Sequence, residues 1–249
     1  GGILANNNFP YPFLMENMQI QNNLIDGSLK ADIKKFIFLG SSCIYPKLAH
    51  QPLKEECLLT DYLEPTNEWY AIAKISGLKA CQAIRKQYNK DYISLMPTNL
   101  YGYFDNFDLQ SSHVLPAMLR KFHEATLNQH SDVTLWGSGT PKREFLFVDD
   151  LADAVIYSLE NTFPEHLYNV GTGKDITIKE LAKIIQKITG HKGNIFWDNS
   201  KPDGTPRKLM DVSKMKDLGW VYSTDLEYGI KKTYQWFLDN SGRIKEIKL

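Results

Sequence analysis

Lys35-Phe36-Ile37-Phe38-Leu39-Gly40-Ser41-Ser42-Cys43 is the stretch on which the fold turns. From Lys35 to Leu39 it is a continuous apolar run of strand length, without the alternation of a half-buried strand. Runs of this kind belong to parallel sheets covered on both faces, and the small polar residues after Leu39 mark the end where such sheets place ligands. On the amino-terminal side, Leu14, Met18, Ile20, Leu24 and Ile25 recur at helical spacing, predicting an amphipathic helix over about 13–32. On the other side the reading continues with a helix over about 67–88, a strand at 92–96, a helix near 114–127 and strands at 133–136 and 145–148. This alternation predicts an α/β fold built on a doubly wound parallel sheet. Asp149-Asp150 is placed to cap a helix running to about 160, and Thr177 with Glu180 reads as a capping box for a helix ending at Gly190. The segment 201–206 is rich in turn formers, and 226–238 suits a closing helix.

The bulk of the chain narrows the function by exclusion. Twenty-nine basic residues balance 29 acidic ones in 249, and no like-charge block stands out, so nothing marks a nucleic-acid or anionic-membrane partner. Any anionic ligand must be met by a local cluster. Cys43, Cys57 and Cys81 form no metal-like spacing and are odd in number, which points to a reducing compartment and to no metal site. No run approaches the roughly 20 apolar residues that span a bilayer. A soluble, cytoplasmic protein is expected. The start at Gly1-Gly2 rather than Met predicts a fragment whose amino-terminal segment is missing.

A doubly wound sheet ordinarily opens with a strand, a Gly-rich turn and a helix whose amides bind pyrophosphate. No such pattern occurs here, and Gly137-Ser-Gly139 and Gly171-Thr-Gly173 read as turns. Tyr70-Ala-Ile-Ala-Lys74 carries the strongest chemical signal, because a spacing of four on a helix brings the phenol and the ammonium to one face. An ammonium beside a phenol favours phenolate, preparing the tyrosine for proton exchange. Ser41, just past the buried strand, completes a Ser-Tyr-Lys set. By themselves, Cys43 reads as a buried thiol and His113 as a helix-start residue; Cys57, Cys81, His50, His123, His130, His166 and His191 read as packing or surface residues.

The order of several segments resembles GDP-L-fucose synthases of the extended short-chain dehydrogenase/reductase superfamily: Gly40-Ser-Ser-Cys-Ile-Tyr-Pro46, Glu64-Pro-Thr-Asn67, Tyr70-Ala-Ile-Ala-Lys74, Met96-Pro-Thr-Asn-Leu-Tyr-Gly102, Ser112-His113, Arg143-Glu-Phe145 and Ser200-Lys-Pro-Asp-Gly-Thr-Pro-Arg-Lys208. The resemblance implies a Rossmann-like doubly wound sheet lacking its first strands, roughly two βα units with the glycine loop. It also implies a smaller α/β lobe that binds sugar nucleotide. Residues 1–110 would be the remainder of the NADP-binding domain and 111–249 mainly the lobe, with 132–170 contributing to or returning to the core.

The same resemblance implies 3,5-epimerisation of GDP-4-keto-6-deoxy-D-mannose followed by NADPH-dependent reduction at C4. Cys43 would be the proton acceptor and His113, as imidazolium, the donor; Tyr70 would protonate the alkoxide. Lys74 would hold the nicotinamide ribose and depress the Tyr70 pKa, with Ser41 bonded to the substrate oxygen. Leu39, Gly40, Ser41, Ser42, Pro97, Thr98, Asn99 and Leu100, with Lys74 and His113, would line the NADP side. Lys121, Trp136, Arg143, Asp203 and Lys208 would meet the sugar nucleotide. Two departures stand out: Lys121 replaces a more usual arginine and so lacks a planar fork for phosphate, and Tyr103-Phe104 replaces a familiar Pro-His pair. The helices over 13–32 and 67–88 correspond to those that pair in the superfamily's homodimers. Against this stand a related sugar-nucleotide epimerase, reductase or dehydratase, although Ser42-Cys43 occupies the place where dehydratases carry an acidic pair, and a non-catalytic sugar-nucleotide-binding fragment.

Overall fold

The computed structural model describes residues 3–109, 111–129, 132–201 and 203–240. The readings of Gly1-Gly2 and His130, and Pro202 of the turn-rich segment, fall outside that set. In chain order the elements are α1 (Ile3–Asn8), α2 (Pro10–Lys30), β1 (Lys35–Leu39), α3 (Glu68–Tyr88), β2 (Asp91–Pro97), β3 (Asn99–Tyr101), α4 (Val114–Leu127), β4 (Asp132–Trp136) and β5 (Lys142–Phe147). They continue with α5 (Val148–Glu160), β6 (Leu167–Val170), β7 (Asp175–Thr177), α6 (Ile178–Thr189), β8 (Asn194–Asp198), β9 (Arg207–Lys208), α7 (Ser213–Asp217) and α8 (Leu226–Asn240).

Local chemistry explains most boundaries. Helix α2 starts three residues before the periodicity suggests, because Pro10 occupies its first turn, where a missing N–H costs nothing. Helix α3 ends where Asn89 turns left-handed at φ 51°. The capping box of α6 forms as read: the Thr177 side chain accepts from Glu180 N at 3.0 Å, and the Glu180 carboxylate accepts from Thr177 N at 2.7 Å. The cap expected of Asp149-Asp150 does not form. Helix α5 already begins at Val148, and the Asp150 carboxylate accepts instead from Ser223 N (2.8 Å), Ser223 Oγ (2.9 Å) and Thr224 N, tying down the approach to α8.

Strands β1, β2 and β6 form a parallel sheet in that order, with Leu39 opposite Leu95 and Pro97 opposite Val170. Because successive side chains alternate between faces, Tyr92 and Met96 pack with Ile25, Phe38, Ile75, Leu78 and Ile84 under α2 and α3. Ile93 and Leu95 pack with Leu151, Ala154 and Phe163 on the side of α5. A third core gathers Phe107, Leu115, Phe122, Leu181, Ile185 and Phe237 from α4, α6, α8 and the loop before α4. Above it lie the β3-β5-β7 sheet, which β9 joins through β5, and the parallel pair β4-β8.

The close approach of α3 to β1 depends on Gly77. A Cβ there would stand 2.5 Å from the Phe38 ring and 2.9 Å from Gln21, both buried. Gly77→Ala is therefore expected to destabilise the fold by about 1–3 kcal/mol through overpacking. The check is a lower urea midpoint at unchanged slope.

Candidate active site

The parallel pairing of β1 with β2 brings their carboxyl ends side by side, and the chain leaves β1 through Gly40 and Ser41 into a single helical turn, Ser42–Ile44. A Cβ at 40 would stand 2.1 Å from the end of the buried Met96 side chain, which would have to move to admit it. Ser41 is extended (φ −158°, ψ 148°), and its Oγ accepts weakly from Cys43 N at 3.4 Å. The first turn of α3 presents Tyr70, and the next presents Lys74. The Lys74 ammonium donates to Leu39 O at 3.1 Å and lies 5.6 Å from the centre of the Tyr70 ring. Gly40, Ser41, Ser42, Tyr70, Pro97, Thr98, Asn99, Leu100, His113 and Lys208 line one cavity of about 390 Å³. Leu39, Lys74 and Cys43 are not part of the lining: the Leu39 carbonyl is engaged by Lys74, and Cys43 is buried next to the lining residue Ser42.

The protonation states differ from those expected. Burial, with the neighbouring Cys43 charge, pushes the Tyr70 phenol up to about 12. Lys74 does not hold it down: its ammonium is engaged by the Leu39 carbonyl, and burial lowers its own pKa. Burial raises the Cys43 thiol, against the opposing pull of Lys208, the Ser41 hydrogen bond and Lys74. His113 presents an exposed edge, yet the protein packed around it and the Lys208 charge lower its pKa from 6.5. Near pH 7 the resting pair is thus thiol and neutral imidazole, not thiolate and imidazolium.

A string of charges leads away from the cavity. Arg143 and Lys208 stand opposite each other where β5 pairs with β9, so their side chains leave the sheet on the same side. Burial lowers both pKa values, and Arg143 depresses Lys208 further. Asp203 attracts Arg143 and accepts from Ser138 N (2.9 Å) and Ser138 Oγ (2.6 Å). The exposed Trp136 ring carries the Lys121 and Lys201 ammonium groups at 5.7 and 5.6 Å. Trp136, Lys121, Arg143 and Asp203 therefore lie outside the cavity lining; Arg143 adjoins it through Lys208, and Asp203 adjoins Arg143.

Several participants were given no role by the sequence reading. Tyr101, Gly102, Tyr103, Asp105 and Val148 complete the cavity wall, and burial pushes the Asp105 carboxyl up to about 6. Tyr101, Gly102 and Tyr103 fall in segments the sequence reading quoted only for resemblance, and Asp105 could have been noticed as a carboxylate soon after a strand end. Cys81 lies in the core, His191 packs edge-on against Phe122, and His123 Nδ1 is 3.0 Å from the Tyr234 hydroxyl. A second depression of about 460 Å³, between α6 and α8, is lined by Lys187, Ile188, Lys231, Tyr234, Gln235 and Leu238 and holds none of the expected residues.

The NAD dependent epimerase/dehydratase family matches residues 1–171, the segment that supplies β1, α3, β2 and every cavity residue except Lys208. The chain belongs to this family. Among its relatives in the epimerase/dehydratase family, the GDP-L-fucose synthase of Escherichia coli (strain K12) is 55% identical over 255 residues, covering 98% of this chain and 79% of that protein. The putative GDP-L-fucose synthase 2 of Arabidopsis thaliana is also 55% identical, over 96% of this chain and 73% of its own length. A solved GDP-L-fucose synthetase from Naegleria fowleri, bound to NADP, superposes with a TM-score of 0.89 at 30% identity, covering 96% of this chain and 76% of that one. The Rossmann-like architecture of the epimerase/dehydratase family thus holds across the chain.

Proposed function

We propose that this epimerase/dehydratase family member converts GDP-4-keto-6-deoxy-D-mannose to GDP-L-fucose by epimerisation at C3 and C5 and NADPH-dependent reduction at C4. The observation that carries this reading is the meeting of Tyr70, His113 and Lys208 around one cavity with Cys43 buried next to its lining residue Ser42, in a chain 55% identical to the Escherichia coli enzyme.

C3 and C5 both flank the C4 ketone, so the same carbonyl acidifies both protons and one enolate-stabilising site serves both inversions. Cys43 and His113 supply the proton acceptor and donor: one removes the proton from carbon, charge collects on O4, and the other returns a proton to the opposite face. Ser41 donates a hydrogen bond to O4, holding the enolate and then the ketone. Tyr70 delivers the proton to O4 as C4 is reduced, with Lys74 beside it.

The cofactor fits the observed cradle. Gly40, Ser41 and Ser42 share one cavity with Pro97, Thr98, Asn99 and Leu100 at adjacent strand ends, where a parallel sheet leaves room for a ligand. NADPH, when bound, supplies the hydride. Lys74 would hold its ribose, and the residues of the two strand ends its nicotinamide. Arg143 and Lys208 suit the diphosphate, because two like charges side by side on a sheet are unfavourable until an anion joins them. Trp136, Lys121 and Asp203 extend the same path toward the nucleoside.

We infer further a cytoplasmic homodimer through α2 and α3. Tyr11, Ile20 and Leu24 of α2 and Trp69 and Ile72 of α3 are exposed apolar residues, and no helix among the described residues is long and apolar enough to cross a membrane. Sedimentation equilibrium should return twice the chain mass, and Leu24→Glu should return the monomer. The functional test is NADPH consumption by the full-length protein with GDP-4-keto-6-deoxy-D-mannose, with the product identified by NMR. A folded, NADPH-binding protein that leaves this substrate untouched would refute the reading and favour another GDP-sugar reductase.

A further inference from the structure

Glu144 lies in the middle of β5 with no exposed surface, and no ion pair is formed to it among the described residues. Its carboxylate is met entirely by hydrogen-bond donors. Oε1 accepts from Thr172 N (2.6 Å), Gly173 N (2.8 Å) and, more weakly, Thr172 Oγ1 (3.4 Å). Oε2 accepts from Met210 N at 2.8 Å. Its backbone carbonyl meanwhile accepts from Asn99 Nδ2 (2.8 Å) and Thr98 Oγ1 (3.3 Å), two residues of the cavity wall.

The position of Met210 gives these bonds a consequence. The ladder between β5 and β9 ends with Arg143 opposite Lys208, and the next residue of β5 reaches across with its side chain to Met210, two residues beyond Lys208. We propose that Glu144 is a positioning residue: its carboxylate fixes the strand that delivers Lys208 into the cavity, while its carbonyl fixes Thr98 and Asn99 on the wall that faces the cofactor. This inference rests on the reading of Lys208 as a contact for the sugar nucleotide.

The chemistry explains why a carboxylate stands here. Both side-chain oxygens face donors, and of the side chains of this shape only an ionised carboxylate accepts on both sides. Glutamine would keep its oxygen toward the three donors of Thr172 and Gly173 and turn its NH2 against the Met210 N–H. The strand bearing Lys208 would give way, and the turn after β6 would not. An alanine at Gly171 perturbs the same carboxylate from outside, since its Cβ would collide with Oε1.

The test uses steady-state kinetics of the full-length protein with Glu144→Gln, Lys208→Ala and the double variant. Glu144→Gln should raise KM for the GDP-sugar by about tenfold or more, as for a donor left facing a donor, with the KM for NADPH within twofold. The double variant should be no worse than Lys208→Ala alone, because a residue that works through Lys208 has nothing left to position. Wild-type KM in Lys208→Ala would overturn the reading of Lys208 and this proposal with it. An impaired Lys208→Ala beside an unaffected Glu144→Gln, or effects that multiply in the double variant, would overturn the positioning role alone. Gly171→Ala supplies the same comparison if Glu144→Gln does not accumulate as folded protein.

Discussion

Tyr70→Phe is expected to slow reduction at C4 by roughly 10²–10⁴-fold, the range for loss of a positioned general acid, while proton exchange at C3 and C5 continues within a few-fold of wild type. That loss corresponds to about 3–5 kcal/mol of transition-state stabilisation. The substitution removes one hydroxyl and keeps the ring, which packs edge-on against Phe13 at 6.3 Å, so α3 should stay in place. With its pKa raised to about 12, the phenol is fully protonated at neutral pH and ready to donate. The substrate proposal separates two reactions at one site, and this variant is where they should part. Single-turnover NADPH oxidation reports reduction, and deuterium uptake from heavy water reports enolisation. Wild-type reduction in Tyr70→Phe would remove Tyr70 from the mechanism, whereas equal loss of both signals would mean that it serves the enolate as well.

The placement of Tyr70 and Lys74 on one helix face was legible, because periodicity and a spacing of four are local properties. The same holds for α4, read as 114–127 and observed as Val114–Leu127, and for the capping box at Thr177. Sequence patterns failed where the partner of a group lies far along the chain. Asp150 looked like a cap, but its donors are Ser223 and Thr224. Glu144 sat unremarked inside Arg143-Glu-Phe145, because its donors come from Thr172, Gly173 and Met210. Ionisation was the least legible property. An ammonium four residues from a phenol suggested a depressed Tyr70 pKa, but the carbonyl that engages Lys74 and the burial of both side chains exist only in the fold. The short pairing of β5 with β9 hid for a similar reason, since two residues after a run of turn formers carry no periodicity.

Cys43→Ser and His113→Gln should each depress deuterium exchange at C3 and C5 by roughly 10²–10⁴-fold, and the pH dependence of that exchange follows from the directions of the two shifts. His113 titrates below its ordinary 6.5 and Cys43 above its ordinary 9.0. Under acid the imidazole gains a proton and the pair carries one too many; under alkali the thiol loses one and the pair carries one too few. Exchange should therefore be flat from 6.5 to 9.0, with its acid limb below that window and its alkaline limb above it. Within the window the pair holds a single transferable proton, either on sulfur with neutral imidazole or, in a minor form, on imidazole with thiolate. Both arrangements give the same rate profile, so the profile alone leaves the acceptor unassigned. Thiolate absorbance settles the resting form: in a difference spectrum against Cys43→Ser it should be missing at pH 7 and emerge only above pH 9. With that result the resting enzyme holds the transferable proton on sulfur, and Cys43 acts as acceptor only through the minor thiolate–imidazolium form. A thiolate signal already present at pH 7 would make that form the resting one, and would mean that Lys208 and Lys74 outweigh the burial of its sulfur.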